Sequence, residues 1–295
     1  MTFVSTLQLP STFRDAVVLL KPRITALAVI TAAVGMYLSP EPVPMMRAIF
    51  ALIGIALLVA GAGVLNMFLE RDTDRLMERT RDRPLPQGRL SPDFGLTLGS
   101  LLVGIAIPLL FLFVNPLTGW LGVLSLISYV GIYTYLKRVS WISLLVGAIP
   151  GAAPPLLGWT AATGSIGQPG LLLFLIIYFW QIPHFLAIGL FHHEDYARAG
   201  LKVFPLHQSL ATIRWQMILT TLPLLPITYA LYRLESAGIY FLSIGLALGL
   251  VFLAAILLGW WASDKEKWGK QVFRVSLLYL TSLFILIMAD SGGPG

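Results

Sequence analysis

Nine stretches of about 20 mainly apolar residues dominate this sequence. A helix of that length crosses the hydrocarbon core of a bilayer, which is about 30 Å thick. Charged residues make up only 12% of the chain, whereas soluble domains contain roughly 25%. The sequence therefore predicts an all-α membrane protein. Its nine spanning helices are predicted at residues 18–39, 47–69, 93–114, 117–136, 141–162, 170–191, 210–232, 238–261 and 272–290.

The basic residues indicate how these helices are oriented. Of the 20 Lys and Arg residues, all but Arg47 and Arg233 lie in the N-terminal segment or near the loops that follow the even-numbered spans. The positive-inside rule places such residues in the cytoplasm. We therefore predict a cytoplasmic N-terminus and, with nine spans, an external C-terminus. The net charge of +6 is a topology signal here, and no nucleic-acid partner is predicted.

The long polar loops recur with a period of four spans. Span 2 and span 6 each lead into a long polar cytoplasmic loop, which predicts two four-helix repeats plus a ninth helix.

The chain contains no cysteine. That excludes disulfides, thiolate metal sites and a cysteine nucleophile.

An amide and two carboxylates follow one face of span 2 where it meets the cytoplasm. Asn66, Glu70 and Asp74 are spaced i, i+4 and i+8, so a helix places them on one side, whereas Asp72 points elsewhere. Asp72 is better interpreted as an ion-pair partner of a neighbouring Arg. The three aligned side chains are oxygen ligands that suit Mg²⁺. The alternative is a solvated helix end with surface salt bridges, but Asn66 lies within the apolar run, where an amide needs a partner.

Cationic residues surround these carboxylates. Six arginines lie between Arg71 and Arg89, which is more than the local carboxylates can pair. Lys21 and Arg23 stand at the start of span 1, and Lys137 and Arg138 at the end of span 4, with Lys137 four residues after Tyr133. A metal flanked by cations is suited to a diphosphate. For any single cation, a role as a topology anchor is the alternative.

A second polar patch, "WQIPHFLAIGLFHHEDYARAGLKVFP", begins within span 6. His184 lies inside the apolar run, and Asp195 is eleven residues later, which returns to nearly the same face if the helix continues that far. An ionisable group inside a membrane is often functional, so a substrate role for His184 is weighed against a packing role.

These motifs resemble the UbiA superfamily of intramembrane prenyltransferases. The segment from Asn66 to Asp74, followed by "RTRDRPLPQGRLS", is similar to the first acidic motif of that superfamily. The segments "GAAPPLLGW" and "PHFLAI…EDYARAG" resemble its protohaem IX farnesyltransferase (haem O synthase) branch. The resemblance covers about residues 18–290.

The resemblance implies both a fold and a reaction. It implies one domain over residues 1–295, with a cytoplasmic segment at 1–17 and lid-like loops at 70–92 and 192–209 over a central cavity. The implied reaction transfers farnesyl from farnesyl diphosphate to the 2-vinyl group of haem B. Water supplies a hydroxyl group, Mg²⁺ is the cofactor, and haem O and diphosphate are the products. The implied location is the bacterial cytoplasmic (inner) membrane, with the active site facing the cytoplasm. The implied partners are farnesyl diphosphate, haem B, membrane lipid and a haem A synthase.

The resemblance also implies roles for individual residues. Asn66, Glu70 and Asp74 match the metal-binding first motif, and His184 and Asp195 match the second motif region. Diphosphate-binding positions are matched by Lys21, Arg23, Arg83, Lys137 and Arg138. The residues that the resemblance implies to be catalytic are Asn66, Glu70, Asp74, Lys137, His184 and Asp195. His184 is the residue expected on the haem side of the cavity, where it could ligate iron, bind a propionate or the incoming water, or only pack.

Two departures and several alternatives remain at this point. The family usually has Asp where this chain has Glu70, and Ile188 and His192 stand where quinone-type relatives have aspartates. A second metal site like theirs is therefore in doubt. The alternative functions are a prenyltransferase with a quinone or chlorophyll-type acceptor, a membrane transporter, and a non-catalytic haem-binding membrane protein.

Overall fold

The computed structural model describes residues 11–201 and 208–291. Residues 1–10 of the predicted N-terminal segment, and Lys202 and His207 in the second predicted loop, lie outside the described residues. All regular elements in the described ranges are helices. They are α1 (Ser11–Leu19), α2 (Pro22–Tyr37), α3 (Met45–Asp74), α4 (Pro92–Phe113), α5 (Pro116–Leu136), α6 (Ser143–Thr163), α7 (Gln168–Phe191), α8 (His193–Arg198), α9 (Leu210–Arg233), α10 (Ile239–Trp261) and α11 (Lys265–Asp290).

The membrane-spanning helices agree with the sequence prediction. In the described part of the chain, eight helices are long and apolar enough to cross a membrane. Helices α1 and α2, which meet at a bend of 41°, are long and apolar enough for a ninth span when they are counted together. The bend lies at Lys21, whose φ of 48° is in the left-handed region, just before Pro22 begins α2. Proline disfavours the helical conformation in the residue before it, which explains a break at this point. The predicted all-α membrane fold is confirmed, and the described residues contain eight candidate spans, or nine with the bent pair.

Two helices extend beyond the apolar runs that predict them. Helix α3 continues through Glu70 to Asp74, so the first predicted loop begins at Arg75 and not at residue 70. Helix α11 begins at Lys265, where the side chain of Asp264 accepts hydrogen bonds from the backbone N–H groups of Glu266 and Lys267. The apolar runs mark only the part of each helix that lies inside the membrane. The helical hydrogen bonds continue beyond that part, so the helices are longer than the runs.

Helix α6 remains continuous although it contains Pro150, Pro154 and Pro155. Each proline lacks the N–H group that would bond the carbonyl four residues earlier. For Pro150 that carbonyl belongs to Val146, and the hydroxyl group of Ser128 in α5 donates to it at 3.4 Å. A neighbouring helix thus satisfies a carbonyl group that the proline leaves unpaired, as expected inside a membrane bundle.

Helices α2 and α6 pack with their backbones almost in contact. A Cβ atom added at Gly158 would lie 1.9 Å from the carbonyl oxygen of Ala32, and one added at Gly35 would lie 2.0 Å from the carbonyl oxygen of Pro155. Small residues at helix crossings are the usual way to bring membrane helices close together. These two glycines therefore fix the position of α2 on α6.

The buried apolar side chains form two large clusters that meet at α6. The first cluster joins α2, α3, α4 and α6 through residues such as Ile55, Leu110 and Leu157. The second joins α6 to α7 and α9–α11 through residues such as Ala148 and Tyr279. The division into two helical units fits the predicted pair of repeats, which itself stays a prediction.

Candidate active site

A cavity of about 410 Å³ opens between α2, α3, α5, α6 and α7. The segment after α3 and helix α8 also contribute to its wall, through Arg79, Arg83 and Tyr196. Polar and charged side chains come from the ends of α3 and α5 and from the link before α2, which lie at one end of the bundle. Apolar residues such as Leu58 and Leu157 form much of the remaining wall. The cavity thus combines a charged end with an apolar interior.

Asn66, Glu70 and Asp74 lie on one face of α3 and line this cavity, as their spacing predicts. All three are buried, with at most 4% of their surface exposed. The amide nitrogen of Asn66 donates to Glu70 Oε1 at 2.8 Å and to the hydroxyl group of Thr134 at 3.1 Å. The amide within the apolar run therefore has its partners, and it holds Glu70 in place.

Each buried carboxylate is paired with a cation from another segment. Lys137 at the end of α5 pairs with Glu70, and Arg83 Nη1 lies 2.8 Å from Asp74 Oδ2. In both cases one carboxylate oxygen makes the contact. The other oxygens, Glu70 Oε2 and Asp74 Oδ1, accept no hydrogen bond from any described residue. Each carboxylate therefore keeps one oxygen available for a ligand.

Cations outnumber carboxylates around the charged end of the cavity. Besides Lys137 and Arg83, the side chains of Lys21 and Arg79 line the cavity. Neither has a carboxylate within 4.0 Å among residues 11–201 and 208–291. The cavity lining therefore contains four cations but only two carboxylates, those of Glu70 and Asp74. This excess of positive charge favours an anionic ligand.

The strained backbone at Lys21 delivers its side chain to the cavity. Its left-handed conformation turns the chain between α1 and α2, and the side chain then lies along α3 beside Gly63. A Cβ atom added at Gly63 would be 3.4 Å from Lys21 Cδ and 3.9 Å from Nζ. A non-glycine residue in this region costs about 1–3 kcal/mol and is often found at functional sites.

A π-helical segment, Ile127–Tyr133, positions the aromatic part of the cavity wall. Such segments are rare and occur often at functional sites. Tyr129 and Tyr133 stack here with ring centroids 5.6 Å apart, and the hydroxyl group of Tyr129 lies 3.4 Å from Asn66 Oδ1. The hydroxyl group of Thr134, which bonds Asn66, also donates to the carbonyl oxygen of Tyr129 at 2.9 Å. The segment and the residue that follows it therefore present the partners that orient Asn66.

Two of the predicted diphosphate-binding residues, and Asp72, lie away from the cavity. Arg23 is exposed on α2 and is not among the cavity-lining residues. Arg138 donates to the carbonyl oxygen of Leu69 at 3.0 Å and connects the end of α5 to α3. Asp72 is exposed and lies 3.8 Å from both Arg71 and Arg75, in agreement with its interpretation as an ion-pair partner.

His184 is buried between α7 and α11. Its Nδ1 atom lies 2.8 Å from the hydroxyl oxygen of Ser276, and its ring packs against Trp180 and Phe273 at centroid distances of 4.6 and 4.8 Å. The neighbouring cavity wall is formed by Gln181 and Phe185. The structure thus places His184 against α11 and not among the cavity-lining residues.

Asp195 does not share a helix face with His184. Helix α7 ends at Phe191, and Asp195 belongs to the separate short helix α8. Its carboxylate accepts hydrogen bonds from the backbone N–H groups of Glu78 and Arg79, in the segment after α3. The spacing of eleven residues would align the two side chains only on a continuous helix. The structure brings Asp195 to the first predicted loop instead.

Sequence reasoning did not select three cavity residues, Arg79, Tyr129 and Gln181. Arg79 is one of six arginines in its loop, and no pattern distinguishes it. Tyr129 had a usable signal, because Tyr129, Tyr133 and Lys137 are spaced four residues apart. Gln181 is buried and donates to the carbonyl oxygen of Ala148 at 2.7 Å. A glutamine inside an apolar run needs such a partner, by the same argument that identified Asn66.

Comparison with known proteins identifies a family and relatives for this chain. The model of the UbiA prenyltransferase family matches residues 28–278. A protoheme IX farnesyltransferase of Myxococcus xanthus is 41% identical over 282 residues, which cover 96% of both chains. The corresponding protein of Sorangium cellulosum is 49% identical over 247 residues, which cover 83% of this chain and 88% of that protein.

Solved structures with low sequence identity share the fold. A structure of a digeranylgeranylglyceryl phosphate synthase superposes with a TM-score of 0.81 at 15% identity, covering 96% of this chain and 99% of that one. A UbiA homologue from Archaeoglobus fulgidus bound to GPP and Mg²⁺ gives a TM-score of 0.65 at 16% identity, covering 93% and 99%.

These matches decide among the classes that the sequence left open. The family match spans most of the chain, and the bacterial relatives are alike over nearly their whole length. An enzyme is therefore supported over a transporter or a non-catalytic haem-binding protein. The chain belongs to the UbiA prenyltransferase family, and it is an integral membrane prenyltransferase.

Proposed function

We propose that this enzyme transfers the farnesyl group of farnesyl diphosphate to the 2-vinyl group of haem B. The carbon–oxygen bond to diphosphate breaks, a carbon–carbon bond forms to the vinyl group, and water supplies the hydroxyl group and releases a proton. The products are haem O and diphosphate. The observation that supports the proposal most is an apolar cavity with an excess of cations around two buried carboxylates at one end. The choice of acceptor and of prenyl group is supported by the bacterial relatives, which are named protoheme IX farnesyltransferases.

The carboxylates fit a Mg²⁺ ion that binds together with the diphosphate. In the described part of the chain no group of three or more His, Asp or Glu side chains forms a metal cage. Mg²⁺ is commonly held by one or two carboxylates plus substrate phosphates and water. Glu70 and Asp74 each have one oxygen available, and we propose that they hold the ion, with Asn66 oriented beside them. A UbiA homologue of the same fold binds GPP and Mg²⁺, which supports this assignment.

The bound Mg²⁺ would neutralise charge that develops on the leaving diphosphate. Lys21, Arg83 and Lys137 would stabilise the same charge directly, because they line the charged end of the cavity. The apolar wall would hold the farnesyl chain and keep water from the cleaving bond until the acceptor is in place. Asn66 would keep Glu70 oriented through the hydrogen bond of 2.8 Å.

The topology and the biological setting are part of the proposal. The charged end of the cavity lies at the end of the bundle that carries the basic loops, which the positive-inside rule assigns to the cytoplasm. We therefore propose that the active site faces the cytoplasm in the bacterial inner membrane, with the N-terminus inside and the C-terminus outside. A haem A synthase is proposed as the partner that receives haem O, and residues 1–295 as one functional domain.

A panel of acceptors tests the proposed substrate. Purified protein is given farnesyl diphosphate and Mg²⁺ with haem B, with a hydroxybenzoate as a quinone head group, or with a chlorophyll-type alcohol. Only haem B is expected to gain a farnesyl group, detected by mass spectrometry. Prenylation of one of the other acceptors with haem B left unchanged would contradict the proposed acceptor, although it would still agree with the family assignment.

A further inference from the structure

The carboxylate of Asp195 joins helix α8 to the segment after α3. Its Oδ1 atom accepts a hydrogen bond from the backbone N–H group of Glu78 at 3.1 Å, and its Oδ2 atom accepts one from that of Arg79 at 3.3 Å. These segments are more than 100 residues apart in the sequence. Asp195 is buried, with 7% of its surface exposed. One side chain therefore fixes the backbone of the segment that borders the cavity.

A small charge network reinforces this connection. Arg198, one turn after Asp195 in α8, pairs with its carboxylate, and Arg198 Nη2 also lies 3.5 Å from Glu78 Oε2. Burial raises the pKa of Asp195, but the hydrogen bonds from Arg198 and from the backbone of Glu78 and Arg79 outweigh it. The pKa therefore lies below its ordinary value, and the carboxyl group is charged at neutral pH.

The residue held by this connection, Arg79, has its side chain at the cavity. With its backbone N–H held by Asp195, Arg79 extends its guanidinium group toward Tyr196 of α8, and both residues line the cavity. Arg79 Nη2 lies 3.4 Å from the hydroxyl oxygen of Tyr196, and the guanidinium carbon is 5.8 Å from the centre of that ring. Arg79 has no carboxylate within 4.0 Å among the residues that the structure describes.

The contacts of Asp195 argue against a role as a metal ligand. Both carboxylate oxygens already accept backbone hydrogen bonds, and Oδ1 is also paired with Arg198. Glu70 and Asp74, in contrast, each keep one oxygen without a hydrogen bond from described residues. A carboxylate with both oxygens engaged is suited to holding a backbone and is poorly suited to adding an ion.

We propose that Asp195 is a positioning residue that holds Arg79 at the charged end of the cavity, where Arg79 binds the diphosphate of the prenyl donor. Asp195 acts through the backbone of the segment after α3, and Arg79 makes the contact with the anion. The inference rests on the proposed diphosphate donor. It assigns to Asp195 a role different from the catalytic role that the sequence motif implies.

Binding of inorganic diphosphate and turnover are measured separately on purified protein in detergent. We expect Asp195→Asn and Arg79→Gln each to weaken diphosphate binding about tenfold, since a charge-assisted hydrogen bond contributes about 1.5 kcal/mol. The double variant is expected to bind diphosphate no more weakly than the weaker-binding single variant does, because both substitutions remove the same interaction. Glu78→Gln, which removes only an exposed ion pair, is the matched control and is expected to change binding less than about twofold.

The Mg²⁺ requirement separates positioning from metal binding. The Mg²⁺ concentration for half-maximal activity is expected to stay unchanged in Asp195→Asn and to rise in Asp74→Asn. Arg79→Gln leaves the contacts of Asp195 intact, so it tests the inference even if Asp195→Asn does not fold. The inference would be overturned if the two losses of diphosphate affinity multiplied in the double variant. It would also be overturned if Asp195→Asn raised the Mg²⁺ requirement as much as Asp74→Asn does.

The two proposals can also fail separately. Wild-type protein that binds neither inorganic diphosphate nor farnesyl diphosphate would overturn the proposed donor, and the role of Asp195 with it. Wild-type protein that binds diphosphate, with Arg79→Gln binding it equally well, would overturn the role of Asp195 and Arg79 alone.

Discussion

Asp72 and Asp74 are two residues apart on one helix and have opposite surroundings. Asp74 is 1% exposed and paired with Arg83 at the cavity, whereas the side chain of Asp72 is 69% exposed and lies among surface arginines. The pair therefore provides a matched comparison. If Asp74 holds Mg²⁺, its loss removes stabilisation of the transition state, while loss of Asp72 removes only screened surface contacts.

We expect Asp74→Asn to lower kcat/KM by roughly 10³-fold, which corresponds to about 4 kcal/mol. Asp72→Asn is expected to retain activity within about twofold, because exposed ion pairs contribute little. The measurement is steady-state kinetics on protein that elutes as a single folded species in detergent. Similar losses in both variants would contradict the assignment of Asp74 as a metal ligand.

Lys137 and Arg138 form a second matched pair. Lys137 lines the cavity and pairs with Glu70, whereas Arg138 bonds a backbone carbonyl outside it. Lys137→Met is therefore expected to lower turnover per folded molecule at saturating substrates by about 10²-fold or more, as expected for loss of a group that stabilises the leaving anion.

Arg138→Met is expected to lower the yield of folded protein while leaving turnover per molecule nearly unchanged. Yield and turnover are measured on the same preparations. If Lys137→Met reduced only the yield, Lys137 would be a topology anchor, which is the alternative that its position at a helix end allows.

Sequence spacing predicts side-chain positions well within one helix and poorly between helices. Asn66, Glu70 and Asp74 meet in the cavity because a single uninterrupted helix carries them. Asp195 does not join His184, because α7 ends between them at Phe191. Lys21 and Arg23 are equally basic and two residues apart, yet only Lys21 enters the cavity. Lys21 reaches the cavity because of its left-handed backbone and the space beside Gly63. Neither feature can be predicted from the positions of the charged residues in the sequence.

At the scale of helices, the packing of α2 on α6 gives a direct test. A methyl group at Gly158 would collide with the backbone of Ala32, so Gly158→Ala is expected to destabilise the protein by about 3 kcal/mol. Gly104 in α4 is the control, because a Cβ atom there would meet nothing within 4 Å. Gly104→Ala is expected to leave stability unchanged or to raise it slightly.

Thermal unfolding in detergent, followed by circular dichroism, measures both variants. A lower melting temperature for Gly158→Ala only is the expected result. Equal melting temperatures for the two variants would contradict the close approach of α2 and α6. The effect does not depend on the proposed substrates.

The sequence predicts the number and the positions of the spanning helices because a bilayer demands about 20 apolar residues for each. Features that depend on neighbouring helices could not be predicted in this way. The three prolines of α6 look like breaks, yet the helix continues, and Ser128 of α5 bonds one of the freed carbonyl groups. The π-helical form of the segment that presents Tyr129 and Tyr133 could not be predicted either, because a spacing of four residues fits an ordinary α-helix.

At the scale of the whole molecule, the distribution of basic residues makes a prediction about topology. The chain has no cysteine, so a single introduced cysteine is a unique label. Ser165 is exposed between α6 and α7, and Gln87 is exposed in the basic segment after α3. In intact cells, Ser165→Cys is expected to react with a membrane-impermeant maleimide, and Gln87→Cys only after the cells are permeabilised. The reverse pattern would contradict the proposed cytoplasmic active site.

The central claim is that this cavity joins a farnesyl group and a hydroxyl group to haem B. The most direct measurement is the mass of the haem recovered after purified protein is incubated with haem B, farnesyl diphosphate and Mg²⁺ in ¹⁸O-labelled water. We predict haem that carries one farnesyl group and one ¹⁸O-labelled hydroxyl group, with one diphosphate released for each haem converted. The Asp74→Asn variant is predicted to form this product only in traces. Unchanged haem, or a prenylated haem without the labelled hydroxyl group, would contradict the proposed reaction.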